Sequence, residues 1–252
     1  MLADVITKNL KKENVKTICL ESVDSTNTFA RSLINIGEKS LLLIAADRQT
    51  GGRGRNGKSF YSENSGSVYM TVVIHPDLPF EDTVGITTAA AVAVSRAVES
   101  VTGKSTLIKW VNDLYCGGRK VCGILCEAVA RGGRVKSVII GVGINLSDCS
   151  FPGELDGIAG TLDCDASLKE QLIAAVADEL FSLNFGALDE KTLDEYRRKS
   201  LVIGKRIDYY FNGQKNTATA IGIDGCGGLI IKNDDGTDDV LRSGEISVRV
   251  NR

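Results

Sequence analysis

Residues 49–59 read Gln-Thr-Gly-Gly-Arg-Gly-Arg-Asn-Gly-Lys-Ser, a stretch built for anion chemistry. Glycines 51, 52, 54 and 57 alternate with the cations Arg53, Arg55 and Lys58. Glycine lets backbone N–H groups come close to an anion, and the cations neutralise it. Arginine forks match carboxylate and phosphate oxygens. The natural guest is a polyanion such as ATP together with a carboxylate. A solvated basic loop is the plain alternative, but ordering so many glycines is entropically expensive and argues against mere decoration.

Two phosphate-binding signatures match this stretch by letter. Gly52 to Ser59 fits the P-loop pattern, and Gly52, Gly54 and Gly57 fit the dinucleotide fingerprint. Both need a strand ending at the first glycine and a helix opening at the last. The apolar run Leu41–Ala46 stops too early, and the residues after Lys58 are turn-rich and then strand-like. The context is wrong for both, and a P-loop-like nucleotide module is the weaker alternative.

Three further constellations could serve a ligand. Lys109-Trp110-Val111-Asn112-Asp113 mixes a hydrophobic wall with polar groups, as small-molecule pockets do. Lys120 opens the following strand and could stand as a fixed positive charge. Gly141-Val-Gly143-Ile-Asn145 puts two glycines in a strand, where another backbone or a flat ligand can approach. Asp24-Ser-Thr-Asn27 starts a helix and offers hydroxyls and N–H groups, although capping alone would explain Ser25. Taken singly, an Asn-Asp turn, an exposed lysine and a packing bulge account for the other residues equally well.

The elements that must position these residues follow from pattern. Residues 24–37 predict a helix capped by Asp24 or Ser25, with Phe29, Leu33 and Ile36 on one face and Gly37 as its stop. Strands are expected at 41–46, 67–74 and 107–111. A hairpin is expected around Gly117-Gly118, with a return arm from Arg119, and another turn near Gly132-Gly133 leads into 134–145. The alanine-rich 84–101 reads as a buried helix. Ser167 and Glu170 form a capping-box pattern opening a helix over 167–185, and a second charged helix covers about 189–200. Hairpins around helices predict an α+β fold with a mixed, mainly antiparallel sheet. Past residue 200 short β-rich runs alternate with Asn-Gly, Gly-Gly and Asp-Asp-Gly turns, which reads as a small β-barrel of about five strands. The expected domains are 1–200 and 201–252.

Composition sets the outer bounds. A chain of 252 residues, 43% hydrophobic and 25% charged, can bury a sizeable core. Its net charge of −2 predicts no global attraction to nucleic acid or anionic lipid, so a basic site must be local. No apolar run is long enough to span a bilayer, and the first residues lack a secretory pattern, so no membrane association is expected. The seven cysteines are scattered and odd in number, reading as free thiols in a reducing cytoplasm rather than a zinc site. His75, the single histidine, ends an apolar run before Pro76, so histidine-based acyl hydrolysis is disfavoured.

Read in order, DSTN (24–27), QTGGRGRNGK (49–58), KWVNDLY (109–115), GRKVCGILCE (118–127), GVGIN (141–145) and GEISVR (244–249) resemble the biotin–protein ligases. The resemblance covers most of the chain from about residue 20 to 250. It implies a mixed-sheet catalytic domain followed by a small SH3-like barrel. It implies that biotin and ATP give biotinyl-5′-AMP and pyrophosphate, with Mg²⁺ assisting, and that biotin then passes to a lysine of a biotin carboxyl carrier protein domain. By motif position, Ser25, Thr26, Asn27, Gln49, Gly52, Arg53 and Lys120 would bind biotin. Arg53, Arg55, Lys58, Phe60, Trp110, Asn112 and Asn145 would serve the nucleotide. Arg55, Lys120 and Asp113 would be catalytic, with Asp113 either on the metal or on the incoming amine. A lipoate or octanoate ligase or transferase shares the fold but lacks this GRGR loop.

Two departures stand out: Val111 replaces the family's usual proline, and Phe60 replaces an aromatic that is often tryptophan. With DSTN beginning at residue 24, no winged DNA-binding domain is expected ahead of it and no operator DNA as partner. A monomer or a homodimer would both be compatible. Activation stores the carboxylate as a mixed anhydride that water destroys, so the glycine loop is expected to order over the intermediate.

Overall fold

A computed structural model describes residues 3–62, 66–79, 83, 85–147, 149–184, 186, 188–211, 214–242 and 247–250. Two sheets organise them. The larger has eight strands, and the smaller has five. The first contains β1 (Val15–Val23), β2 (Leu41–Gln49), β3 (Ser67–Ile74), β4 (Leu78–Pro79), β5 (Leu107–Lys109), β6 (Asp113–Cys116), β7 (Arg119–Arg131) and β8 (Arg134–Asn145). Its order is β1-β2-β3-β8-β7-β6-β5, with β4 on β8. Among the described strands of this sheet only β1 and β2 pair in parallel, because α2 (Thr26–Asn35) carries the chain across between them. The remaining described pairings are antiparallel, as the hairpin turns require.

One face of this sheet packs on α1 (Ala3–Asn9), α3 (Ile86–Thr102), α4 (Lys169–Phe181) and α5 (Glu190–Arg198). The run of small residues Ala89–Ala93 lets α3 lie deep in that core, and Gly103 ends it in the left-handed conformation expected of a helix stop. The other face is covered by α2, whose Ala30 and Ile34 pack on Leu42, Ile44, Val73 and Ile139. The smaller sheet, ordered β12-β11-β10-β9-β13, comprises β9 (Arg206–Phe211), β10 (Gln214–Ile223), β11 (Leu229–Lys232), β12 (Asp238–Leu241) and β13 (Ser247–Val250). Ile207, Ala218, Ile223 and Leu229 of this sheet join the same core cluster as the α3 face.

Several expectations need correction. The helix over 167–185 is shorter: a 3-10 turn at Ala166–Leu168 precedes α4, and the Asp165 side chain, rather than Ser167's, caps it by accepting from the Ser167 N–H. The strand expected at 107–111 ends at Lys109, because the chain turns at Trp110 to begin the next arm. β2 runs on to Gln49, past the expected end at 46. The P-loop context still fails: Lys58 is extended and a strand, not a helix, lies beyond. β1, β4 and α1 were not foreseen. The Asn212-Gly213 turn and residues 244–246 of GEISVR lie outside the described residues. Among the described residues no helix is long and apolar enough to cross a membrane.

Candidate functional site

Side chains two apart share a sheet face, and this decides where the site lies. Register pairs Val73 with Ile139, Thr71 with Gly141 and Tyr69 with Gly143 on β3 and β8, and pairs Leu125 with Gly141 and Gly123 with Gly143 on β7 and β8. Under α2 the face is apolar. Beyond the helix's N-terminus the same rows turn to Thr71, Gly141, Gly143 and Gly123. A cleft opens there, and its lining includes Ser25, Gln49, Arg53, Phe60, Trp110 and Lys120.

The glycines are steric necessities. A Cβ on Gly141 would stand 2.2 Å from Asn27 Oδ1, and one on Gly143 would stand 2.5 Å from Phe60 Cε1. Gly123 lies under the same ring, with Phe60 Cε2 at 3.1 Å from its would-be Cβ. Phe60 therefore lies flat on a glycine floor, held there by its loop. That loop folds on itself: the Phe60 N–H donates to Gly52 O at 2.9 Å, Gly54 N–H to Lys58 O at 2.7 Å, and Arg53 bridges Ser59. It is anchored to the start of α2 through the Gly51 N–H, which donates to Asp24 O at 2.8 Å.

At one end the cleft is polar, and several of its groups are joined by hydrogen bonds. Gln49 Oε1 accepts from the Thr26 N–H at 2.8 Å and from the Thr26 hydroxyl at 3.1 Å. Thr71 Oγ1 lies 2.8 Å from Thr26 Oγ1 and 2.7 Å from Asn27 Oδ1. Ser25, Thr26, Asn27, Gln49 and Thr71 are all buried. Ser25 sits at the N-cap position of α2 but makes no capping bond with its side chain, so capping does not account for its hydroxyl.

The other end is cationic. Lys120 Nζ pairs with Asp113 Oδ1 at 2.7 Å, with the two side chains 28% and 22% exposed, so a ligand can still reach them. Lys120's backbone is clamped: its N–H donates to Ile158 O and its carbonyl accepts from Gly160 N–H, both at 2.9 Å. Arg55 Nη1 donates to Asn112 Oδ1 at 3.3 Å, and Asn112 Nδ2 donates to Ile124 O at 2.8 Å. Burial pulls the Arg55 pKa below its ordinary value, and Asp113 acts in the opposite sense. An arginine so placed stays charged at neutral pH, but is poorly solvated and will attract an anion strongly. Lys109 Nζ sits 5.7 Å above the Tyr115 ring, whose hydroxyl is pushed up to about 12, chiefly by burial and then by Asp113. The Trp110–Val111 peptide is cis, and Trp110 Nε1 donates at 3.0 Å to Gly227 O in the turn between β10 and β11 of the smaller sheet.

Of the expected site residues, Ser25, Thr26, Asn27, Gln49, Arg53, Arg55, Lys58, Phe60, Trp110, Asn112, Asp113 and Lys120 line this one cleft. Gly52 and Asn145 do not. Gly52 serves the loop, where a Cβ would strike Phe60 O and Ser62 Oγ. Asn145 donates from Nδ2 to Gly160 O at 3.0 Å and so helps hold the segment that clamps Lys120. Sequence reasoning missed Thr71, which supports the cleft from behind through Thr26 and Asn27. The signal for Thr71 was a lone polar residue inside the apolar run SVYMTVVI. His75 bonds Ser137 Oγ and Ser40 O at a strand end and is not among the cleft-lining residues. The β7 thiols are raised by burial, Cys126 to about 12, so they are neutral and unfit as nucleophiles.

A mixed sheet with a glycine-floored cleft, polar at one end and cationic at the other, defines a small-molecule-binding α+β protein suited to anionic ligands. Residues 19–145 match the model of the biotin/lipoate A/B protein ligase family, half of the chain, and the chain belongs to that family. It is 42% identical over 142 residues to the bifunctional ligase/repressor BirA of Bacillus spizizenii, covering 56% of this chain and 44% of that protein. It is 26% identical over 254 residues to the Salmonella typhimurium protein of the same name, covering 98% and 78%. The chain thus spans about half the length of the Bacillus relatives it matches. Among solved structures, the biotin protein ligase from Aquifex aeolicus in complex with biotin and ATP superposes with a TM-score of 0.75 at 26% identity, over 95% of this chain and 100% of that one.

Proposed function

We propose that this chain is an ATP-dependent biotin–protein ligase. One observation carries the reading. The cleft-lining residues include five cations, Arg53, Arg55, Lys58, Lys109 and Lys120, against the single carboxylate of Asp113, in a chain whose net charge is −2. Bringing a carboxylate against a nucleotide triphosphate sets two anions together, and this excess of four positive charges, five less one, offsets their repulsion.

In the first step a biotin carboxylate oxygen attacks the α-phosphorus of ATP. Pyrophosphate leaves and biotinyl-5′-AMP remains. Lys120 faces the carboxylate and the α-phosphate, Arg53 and Arg55 bind the carboxylate and phosphates, and Lys58 assists them. In the second step a neutral lysine amine of a biotin carboxyl carrier protein domain attacks the acyl carbon, AMP leaves and an amide forms. Asp113 orients that amine. Phe60, Trp110 and Asn112 bound the nucleotide side, and Asn145, through Nδ2 on Gly160 O, acts only indirectly by holding the segment that clamps Lys120. Asp113 is the single carboxylate among the cleft-lining residues and is held by Lys120 at 2.7 Å, so Mg²⁺ would be bound mainly by phosphate and water oxygens, with Asp113 the one side chain able to join them, and would neutralise the departing pyrophosphate. The catalytic part is residues 1–200, and 201–252 form an SH3-like appendage. Seven free cysteines suit a reducing compartment, and we place the protein in the cytoplasm.

The polar end favours biotin over lipoate. Its hydrogen-bonding groups suit a cyclic urea, whereas a dithiolane ring would leave them unanswered. ATP–pyrophosphate exchange tests both points. Exchange dependent on biotin and not on lipoate is the expected result. Absence of exchange with biotin would refute the ligase reading.

A further inference from the structure

The GILCE segment of β7 ends in a charged residue, Glu127, that the reaction above does not use. Its carboxylate is held at two points. Oε1 pairs with Arg31 Nη2 of α2 at 3.0 Å, and Oε2 accepts from Asn27 Nδ2 at 2.8 Å. We propose that Glu127 is a positioning residue that fixes the orientation of the Asn27 amide and, through it, the donor–acceptor pattern with which the polar end of the cleft reads a ligand's ring. This rests on the cyclic urea of biotin being that ring.

Asn side chains have two orientations that differ only by exchange of O and N. At Asn27 the choice is forced. The atom facing Glu127 Oε2 also lies 3.4 Å from Leu125 O, and both neighbours only accept. It must be the NH₂. Asn27 Oδ1 therefore faces Gly141 and Thr71, and takes a share of the Thr71 hydroxyl proton at 2.7 Å. The same Thr71 oxygen lies 2.8 Å from Thr26 Oγ1, and Thr26 in turn directs both its N–H and its hydroxyl onto Gln49 Oε1. Gln49 is thereby turned with its own N–H donors away from Thr26. The chain Glu127–Asn27–Thr71–Thr26–Gln49 crosses β7, α2, β3 and β2; the Thr26 N–H fixes its Gln49 end, and Glu127 fixes its Asn27 end. Without the carboxylate only the longer contact to Leu125 O, at 3.4 Å, still favours the NH₂ there, so the Asn27 amide can reverse and the Thr71 proton then turns to Thr26 Oγ1. A pocket able to adopt both patterns discriminates poorly between ring donors and ring acceptors.

The test compares biotin with its guanidine analogue 2-iminobiotin, in which an imino N–H replaces the oxygen of the ring carbonyl. Calorimetric titration of the full chain gives both dissociation constants. Glu127→Gln is expected to weaken biotin about tenfold while changing 2-iminobiotin far less, so that the ratio of the two falls. Pyrophosphate exchange at saturating biotin should keep its kcat, the loss appearing in KM. A merely structural role would weaken both ligands by the same factor, and that result, or no change in either, overturns the inference. If Glu127→Gln does not fold, Arg31→Gln loosens the same carboxylate from its exposed side, and the ratio should move in the same direction by a smaller factor; an unmoved ratio there also overturns the inference. Failure of the unaltered chain to bind biotin would instead refute the ligase reading, and the inference with it.

Discussion

The two ends of the cleft are built on opposite plans. At the polar end, Thr26, Asn27, Gln49 and Thr71 are buried and bonded to one another, so the pocket is complete before any ligand arrives. At the cationic end, positive charge gathers against the single carboxylate of Asp113, and Lys120 and Asp113 stay partly exposed. The first end is finished by folding and the second by its ligand. Groups at the polar end therefore contribute to stability and recognition together, whereas those at the cationic end contribute mainly to rate.

That contrast can be broken or sharpened by substitution. The largest effect is expected for Lys120→Ala, which should slow adenylate formation by about 10²–10³-fold in pyrophosphate exchange while leaving the melting temperature nearly unchanged. A large thermal loss would show that the cationic end is structural after all. Gln49→Ala should do the reverse. It strands the buried Thr26 donors, so denaturant titration should show a loss of about 1–3 kcal/mol alongside weakened biotin binding. Gly143→Ala places a methyl where the Phe60 ring lies, and about a tenfold rise in KM for ATP is expected as that ring shifts. Arg55→Gly should change stability least, yet let the adenylate escape; biotinylation of bystander proteins in a mixed sample is its signature. Finally, thiol reagents at pH 8 should modify exposed Cys226 well before Cys126 and Cys122, whose burial keeps them protonated.

Most of the site was legible because its chemistry is local. Glycine next to arginine announces an anion, and a Gly-x-Gly in a strand announces close approach, whatever the fold around them. The α3 helix and its Gly103 stop were legible for the same reason. What could not be read depends on register. Thr71 matters because it faces Gly141 across β3 and β8, and Glu127 because β7 brings it to α2, neither of which is written in neighbouring letters. β1 was missed because its burial alternates poorly and its partner, β2, lies beyond a crossover helix. At α4 the capping-box letters were present, but a 3-10 turn capped by Asp165 precedes the helix, whose own start at Leu168 has no side-chain cap.

Trp110 is the chain's single tryptophan, and its indole joins the cleft wall to the smaller sheet through Gly227. The molecule therefore carries one indole fluorophore, excitable apart from its six tyrosines, at the seam between its two sheets. Its emission will report nucleotide arrival from one side and detachment of the last fifty or so residues from the other. Quenching without a red shift would mark the first event, and a red shift as the indole meets water would mark the second, so both can be followed in real time without attaching a dye.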